Sequence, residues 1–261
     1  MGAVVTGGKN VIARILSVFV VVVLWAGGSH GPAKAVELVT GNNYFPYADE
    51  RIPGGGLATV LVKAIFEKMG HNATVSFAPW PDGFQATREG RFLATFPYIK
   101  TPEREAEFLY TDELFSVRPH IFMNYTNAPG LTQPSDLAGK TLCVPVGWGI
   151  DEYLKDVTAS GQVRVYDQTT VVGCFQLLAQ GKVDAISIDR RLGTAAARAV
   201  QEGAWFKVRR LTIDSSPNYV IVPKSLPGAQ DWVKRFNAAK DSLRMDGTVA
   251  RLIQTYYENY P

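Results

Sequence analysis

Apolar residues from Leu57 to Met69 (LATVLVKAIFEKM) recur near helical spacing at Leu57, Val60, Leu61, Ala64 and Ile65, with Lys68 at the next position, and the pattern stops at Gly70, predicting a helix. Before it, VELVTG alternates as a strand does, and NNYFPYADERIPGGG, with two prolines and three glycines, has loop chemistry. After it come a strand (ATVSFAP), a short helix carrying Phe84, and a strand around Ala94, Thr95 and Phe96. This β-α-β-α-β succession predicts a parallel sheet with helices on its faces. A second round starts at Asp136-Leu137-Ala138-Gly139-Lys140: TLCVPV, a Gly147-Trp148-Gly149 turn, a helix from Asp151 to Asp156, the strand VRVYD, a helix from Thr169 to Gln180, and DAISI. Two rounds predict two α/β lobes. The chain then continues through NYVIVP and two amphipathic helices to Pro261, too little for a third domain, so this tail is expected to return and complete the first lobe.

Residues 1–35 have the organisation of an export signal, with Lys9 and Arg14 ahead of an apolar run from Ile15 to Ala26 and an Ala33-Lys34-Ala35 cleavage pattern. That run is short of the roughly 20 apolar residues that span a bilayer, so cleavage after Ala35 and a soluble periplasmic product are expected. The full chain has a formal net charge of +3, with 27 basic and 24 acidic residues. The leader removes Lys9, Arg14 and Lys34 and no acid. The mature chain is therefore close to neutral and offers nothing to nucleic acid. Cys143 and Cys174 in an exported chain predict one disulfide, the alternative being two buried thiols. The three histidines (His30, His71, His120) and two cysteines form no zinc-like spacing, and no metal or other cofactor is expected.

The segment FPYIKTPEREAEFLYTDELF, from Phe96 to Phe115, places Arg104 in a Thr-Pro-Glu-Arg turn ahead of an acidic run. An arginine so placed can clamp a carboxylate with two parallel charge-assisted hydrogen bonds. On a solvated surface it would instead pair with Glu103, Glu105 or Glu107. With the leader before it and the Gly-Lys-Val-Asp-Ala segment running to Asp189 after it, the segment resembles the family 3 periplasmic solute-binding proteins, the receptors of polar amino-acid ABC importers. The resemblance implies a two-lobed type II periplasmic-binding fold, each lobe a mostly parallel sheet flanked by helices. Lobe one would be residues 36–117 plus 216–261 and lobe two residues 118–215. Hinge crossings would fall near Ser116 to Pro119 and Asp214 to Asn218, and the ligand cleft would lie between the lobes.

By the same resemblance Arg104 takes the ligand's carboxylate and Asp189 its amino group, although an acid ending a strand can equally cap the helix that follows. Tyr44 matches an aromatic wall of the family's site, with an exposed loop tyrosine as the alternative. Trp80 is a second aromatic candidate, or a core residue. Phe96, Pro97 and Tyr98 stand where many relatives carry small hydroxyl residues, and would narrow that end of the site. Gly147-Trp148-Gly149 replaces a Gly-Ser/Thr-Thr turn: backbone amides such as that of Gly149 can still meet an anion at a helix start, and Trp148 either closes over the ligand or packs on its own lobe. The implied protein is a monomer that delivers an amino acid or similar small carboxylate to an inner-membrane ABC permease, and is not an enzyme. The competing enzyme on this fold is a cyclohexadienyl dehydratase, for which Asp189, Asp49 and Asp151 are the acids available. A covalently attached sensor domain is disfavoured by the end of the chain at Pro261.

Overall fold

The computed structural model describes residues 1–4, 34–124, 132–200, 206–209 and 215–259. The chain divides into two compact units, Met1–Pro32 and Ala33–Pro261. Of the first, only the exposed residues 1–4 are described, so most of the expected leader lies outside the described residues.

The second unit is a mixed α/β structure with two sheets. The first contains β1 (Lys34–Thr40), β2 (His71–Phe77), β3 (Ala94–Tyr98), β4 (Phe108–Tyr110), β5 (Phe115–Val117) and, from late in the chain, β11 (Ser216–Pro223). Its order is β2-β1-β3-β11-β4, with β5 also on β11. β1 starts two residues before the expected strand, so the expected cleavage point after Ala35 falls inside it. The second sheet contains β6 (Pro119–Asn124), β7 (Thr141–Pro145), β8 (Arg164–Gln168), β9 (Ala185–Asp189) and β10 (Phe206–Arg209), in the order β10-β6-β9-β7-β8. Each sheet has the parallel trio expected from its β-α-β succession, β2-β1-β3 and β8-β7-β9. The other strands run antiparallel to these or to each other, which makes both sheets mixed.

The chain passes from the first sheet to the second between Val117 and Pro119 and is back in the first at Ser216. The two passages are hydrogen-bonded neighbours, with Val117 opposite Ser216, Ser116 opposite Pro217 and Phe115 opposite Asn218. Asp214, the expected start of the second passage, is outside the described residues.

Helix α1 (Leu57–Lys68) follows three glycines with positive φ, and a β-carbon at Gly56 would come within 2.2 Å of the Tyr47 carbonyl oxygen. The sequence stripe is rotated in the structure. Ala58, Val62 and Phe66 are buried beside Leu57, Leu61 and Ile65, while Lys68 is exposed and Val60 and Ala64 are only half-buried. The reason is the returning tail: Phe66 packs against Trp232 and Phe236 of α7 (Ala229–Met245), at ring separations of 6.2 and 5.8 Å. The final helix α8 (Thr248–Asn259) lies against both α1 and α7.

In the second sheet Cys143 of β7 is bonded to Cys174 of α5 (Val171–Ala179), with Cα atoms 5.7 Å apart. The bridge closes a loop across a sequence separation of 31 and pins this helix to the strand whose end forms one wall of the cavity below. Chain-entropy reasoning assigns such a loop about 3–4 kcal/mol. The Cys143→Ser/Cys174→Ser variant should therefore unfold roughly 6–16 °C lower in a thermal melt. A midpoint shift below about 2 °C would show that the bridge contributes little.

Candidate functional site

A cavity of about 80 Å³ opens where the carboxyl ends of β1, β3, β7 and β9 face the two chain passages. From the first sheet it is lined by Tyr44, Trp80, Pro97, Tyr98 and Arg104. From the second come the loop Gly147 to Asp151, Ser187 and Asp189, while Ser216 and Asn218 come from the returning passage. This is the position at which α/β sheets bind ligands, because loops at strand ends vary while the strands hold them in place.

Arg104 sits in the short helix α3 (Pro102–Glu107), whose N-cap Thr101 accepts a hydrogen bond from the Arg104 amide at 3.4 Å. Its guanidinium stacks over Tyr98, 4.8 Å from the ring centre. Nη1 donates to the Ile99 carbonyl at 3.1 Å, and Nη2 donates across to the Gly147 carbonyl at 2.9 Å. None of Glu103, Glu105 and Glu107 forms an ion pair with it; Glu107 pairs with Arg88 instead. The surface-pairing alternative thus fails. Burial disfavours the guanidinium's charge. The close approach needs glycine on the other side: a β-carbon at Gly149 would lie 2.8 Å from Ile99 Cδ1 and 3.0 Å from Arg104 Nη1, and one at Gly147 would lie 2.8 Å from Trp80 Cβ.

The aromatic residues form one connected wall. Tyr44 is buried, its ring centre 4.9 Å from Trp148 and 6.3 Å from Trp80, both edge-on. Trp80 donates from Nε1 to the Asn42 carbonyl at 2.9 Å and meets Tyr98 edge-on at 5.7 Å. Burial pushes the Tyr98 phenol up to about 12. Tyr44 rises well above its ordinary value through burial and the nearby Asp189 and Asp151, partly opposed by its hydrogen bond with Asn218.

The two carboxylates behave differently. Asp189 ends β9 and caps α6 (Arg190–Ala199), its Oδ1 accepting from the amides of Arg191 at 2.9 Å and Leu192 at 3.4 Å. Asp151 occupies the cap position of α4 (Glu152–Ala159) but makes no cap bond there. Its oxygens instead accept from Ser216 Oγ at 2.7 Å and Ser187 Oγ at 3.3 Å. Ser187 is in turn bonded to the Tyr153 hydroxyl. Burial raises the Asp151 carboxyl above its ordinary value, against the two serine hydrogen bonds.

A model of the bacterial extracellular solute-binding proteins, family 3, matches residues 36–259. The chain belongs to that family. This family 3 protein is 27% identical over 216 residues to the amino-acid-binding protein AabA of Dichelobacter nodosus, covering 82% of this chain and 83% of AabA. The membrane-bound lytic murein transglycosylase F of Pseudomonas savastanoi pv. phaseolicola (strain 1448A / Race 6) is 25% identical over 230 residues, which cover 85% of this chain and 45% of that protein. An ancestral arginine-binding protein bound to arginine has the same fold, with a TM-score of 0.72, 21% identity, and coverage of 87% of this chain and all of the other. Solute binding is accordingly its role, and the family is an extracellular one.

In this solute-binding protein the sequence-predicted residues Arg104, Asp189, Tyr44, Trp80, Tyr98, Trp148 and Gly149 all line the one cavity. Phe96 does not: it is fully buried in the core of the first sheet, and only Pro97 and Tyr98 reach the wall. Ser187, Ser216 and Asn218 were not singled out, and Asp151 was named only as a spare acid. Strand alternation in DAISID offered one signal, since it puts Ser187 on the face of Asp189. Ser216 is 65 positions from Asp151, and no local pattern links them.

The raised Asp151 carboxyl has a consequence for stability. A group that binds its proton more tightly folded than unfolded weakens the fold as pH rises through that range. Asp151→Asn keeps the shape and removes the charge, so the ligand-free variant should melt above wild type at pH 7.5. The difference should vanish towards pH 3.8, the ordinary aspartate value. A variant that melts lower at pH 7.5 would refute the assignment.

Proposed function

We propose that the protein is the substrate-binding component of an ABC importer, closing on an amino acid or related small carboxylate between two lobes, residues 36–117 with 216–261 and residues 118–215. The observation that supports this most is the arrangement of charge in the cavity: one arginine on the first-sheet side, hydrogen-bonded to two carbonyls, and two carboxylates on the second-sheet side, with no other arginine, lysine or histidine among the described residues that line it. A zwitterion complements both. Arg104 takes its carboxylate by exchanging carbonyl oxygens for a charged acceptor, a stronger partner for guanidinium. Asp189 takes the ammonium group while continuing to cap α6. Tyr44, Trp80, Tyr98 and Trp148 enclose the ligand's carbon atoms, and the backbone at Gly149 approaches closely enough to contact it. The protein works as a periplasmic monomer after its leader is cleaved following Ala35, and hands the ligand to an inner-membrane permease without chemical change.

Asp151 favours one other reading. A carboxyl that holds its proton above the ordinary range inside a ligand cavity is what a general acid requires, as in an enzyme of the cyclohexadienyl dehydratase kind. Product formation from a cyclohexadienyl acid by the purified protein, lost in Asp151→Asn, would favour that reading over transport.

The binding reading is tested by thermal shift against amino acids and small organic acids. A ligand at a hundred times its Kd adds about 2.7 kcal/mol, which is roughly 5–10 °C for a chain of this size. Arg104→Ala should reduce that shift to under about 1 °C while the ligand-free melt changes little, since a cavity arginine bonded to two carbonyls adds modestly to folding. An undiminished shift in the variant would overturn the arginine's role.

A further inference from the structure

Once the proposed zwitterion is in place, Asp151 is left over. Arg104 and Asp189 meet the ligand's two charged ends, yet the wall carries a second carboxylate, and no other arginine, lysine or histidine among the described residues lines the cavity. Helix capping does not explain Asp151. It stands at a helix cap position, where an aspartate ordinarily accepts from the first-turn amides, and it forgoes those bonds. Its carboxyl turns to Ser216 and Ser187, and burial disfavours its charge. A carboxylate held inside a protein by neutral hydroxyls alone is costly unless a cation joins it.

Its placement relative to Asp189 follows from the strand. Ser187 and Asp189 are two residues apart on β9 and share a face, about 6.6 Å from each other along the chain. Asp151 is bonded to Ser187. The two carboxylates are thus neighbours on one wall. Asp189 is 8% exposed, and both of its cap bonds fall on Oδ1, which leaves Oδ2 outside the cap. Asp151 has each oxygen already engaged by one serine, with further lone pairs on both. An ammonium group, whose three donors point in different directions, can reach Asp151 together with the serine oxygens. The planar fork of a guanidinium needs both carboxylate oxygens from one side.

We propose that Asp151, held by Ser187 and Ser216, is a second cation subsite, and that the preferred ligand is an amino acid whose short side chain ends in an amine. This rests on the amino-acid-binding reading above. Two ammonium groups then face two carboxylates, and one carboxylate faces Arg104.

Calorimetry on the mature wild-type protein provides the test, comparing L-2,4-diaminobutyrate with its neutral isostere L-norvaline, and L-ornithine with L-norleucine. Each diamine should bind at least about tenfold more tightly than its isostere, the effect of one charge-assisted hydrogen bond. Asp151→Asn should compress that ratio to within about threefold, and Arg104→Ala should remove binding of all four. Equal or tighter binding of the neutral isosteres by wild type, still dependent on Arg104, would overturn the second subsite and leave the amino-acid reading intact. A diamine preference that survives in Asp151→Asn would also overturn it. If none of the four binds, the second subsite falls, and the amino-acid reading stands or falls separately on the thermal-shift screen.

Discussion

The antiparallel pairing of β5 with the start of β11 is the constraint on which the rest of the molecule depends. Two stretches separated by about a hundred residues must lie side by side before the first sheet can be completed, because β5 and β11 both belong to it. The same pairing creates the site. It brings Ser216 and Asn218 between the strand ends of the two sheets, where Ser216 holds Asp151 and Asn218 meets Tyr44. The cavity needs this ribbon as well as the loops at the strand ends. It arises where two regular sheets share one connecting ribbon.

Within that frame, polar groups are distributed by what each wall can satisfy. The first-sheet side offers a cation whose donors are met by main-chain oxygens, so Arg104 is held without a neighbouring carboxylate. The second-sheet side offers carboxylates met by amides in one case and hydroxyls in the other. Unlike charges are kept apart across the cavity although they could have neutralised one another. Glycine makes the approach possible: with side chains at 147 and 149, the loop after β7 could not come against Trp80, Ile99 and Arg104.

Much of this was legible in the sequence because it is encoded locally. Period-two and period-3.6 patterns gave the strands and helices of both rounds, and the leftover tail after the second round required a return to the first lobe. The Thr-Pro-Glu-Arg turn marked Arg104 through the clamp chemistry of arginine and the family resemblance of the segment. Asp189 could be read as cap or ligand acid, and the cap bonds are present at the cavity wall. What escaped was encoded at a distance. The buried face of α1 is set by Trp232 and Phe236, more than 160 positions later, and periodicity alone centred it one residue away. Phe96 is enclosed in the core of the first sheet while Tyr98, at the end of β3, reaches the cavity, and telling the two apart required knowing where the strand ends and what covers it. Asp151 looked like an ordinary helix start because its partners, Ser187 and Ser216, come from two other strands.

The bond from Arg104 Nη2 to the Gly147 carbonyl carries a consequence for affinity under the proposed function. While the N–H that reaches across to the second sheet is bonded to the Gly147 carbonyl it cannot serve a ligand carboxylate, so this latch and the ligand compete for one of the guanidinium's five donors. Measured affinity is then the intrinsic affinity scaled by the fraction of molecules whose latch is open. Evolution could adjust such a receptor's sensitivity to solute concentration through Gly147 and Gly149, which set how closely the loop after β7 approaches Arg104.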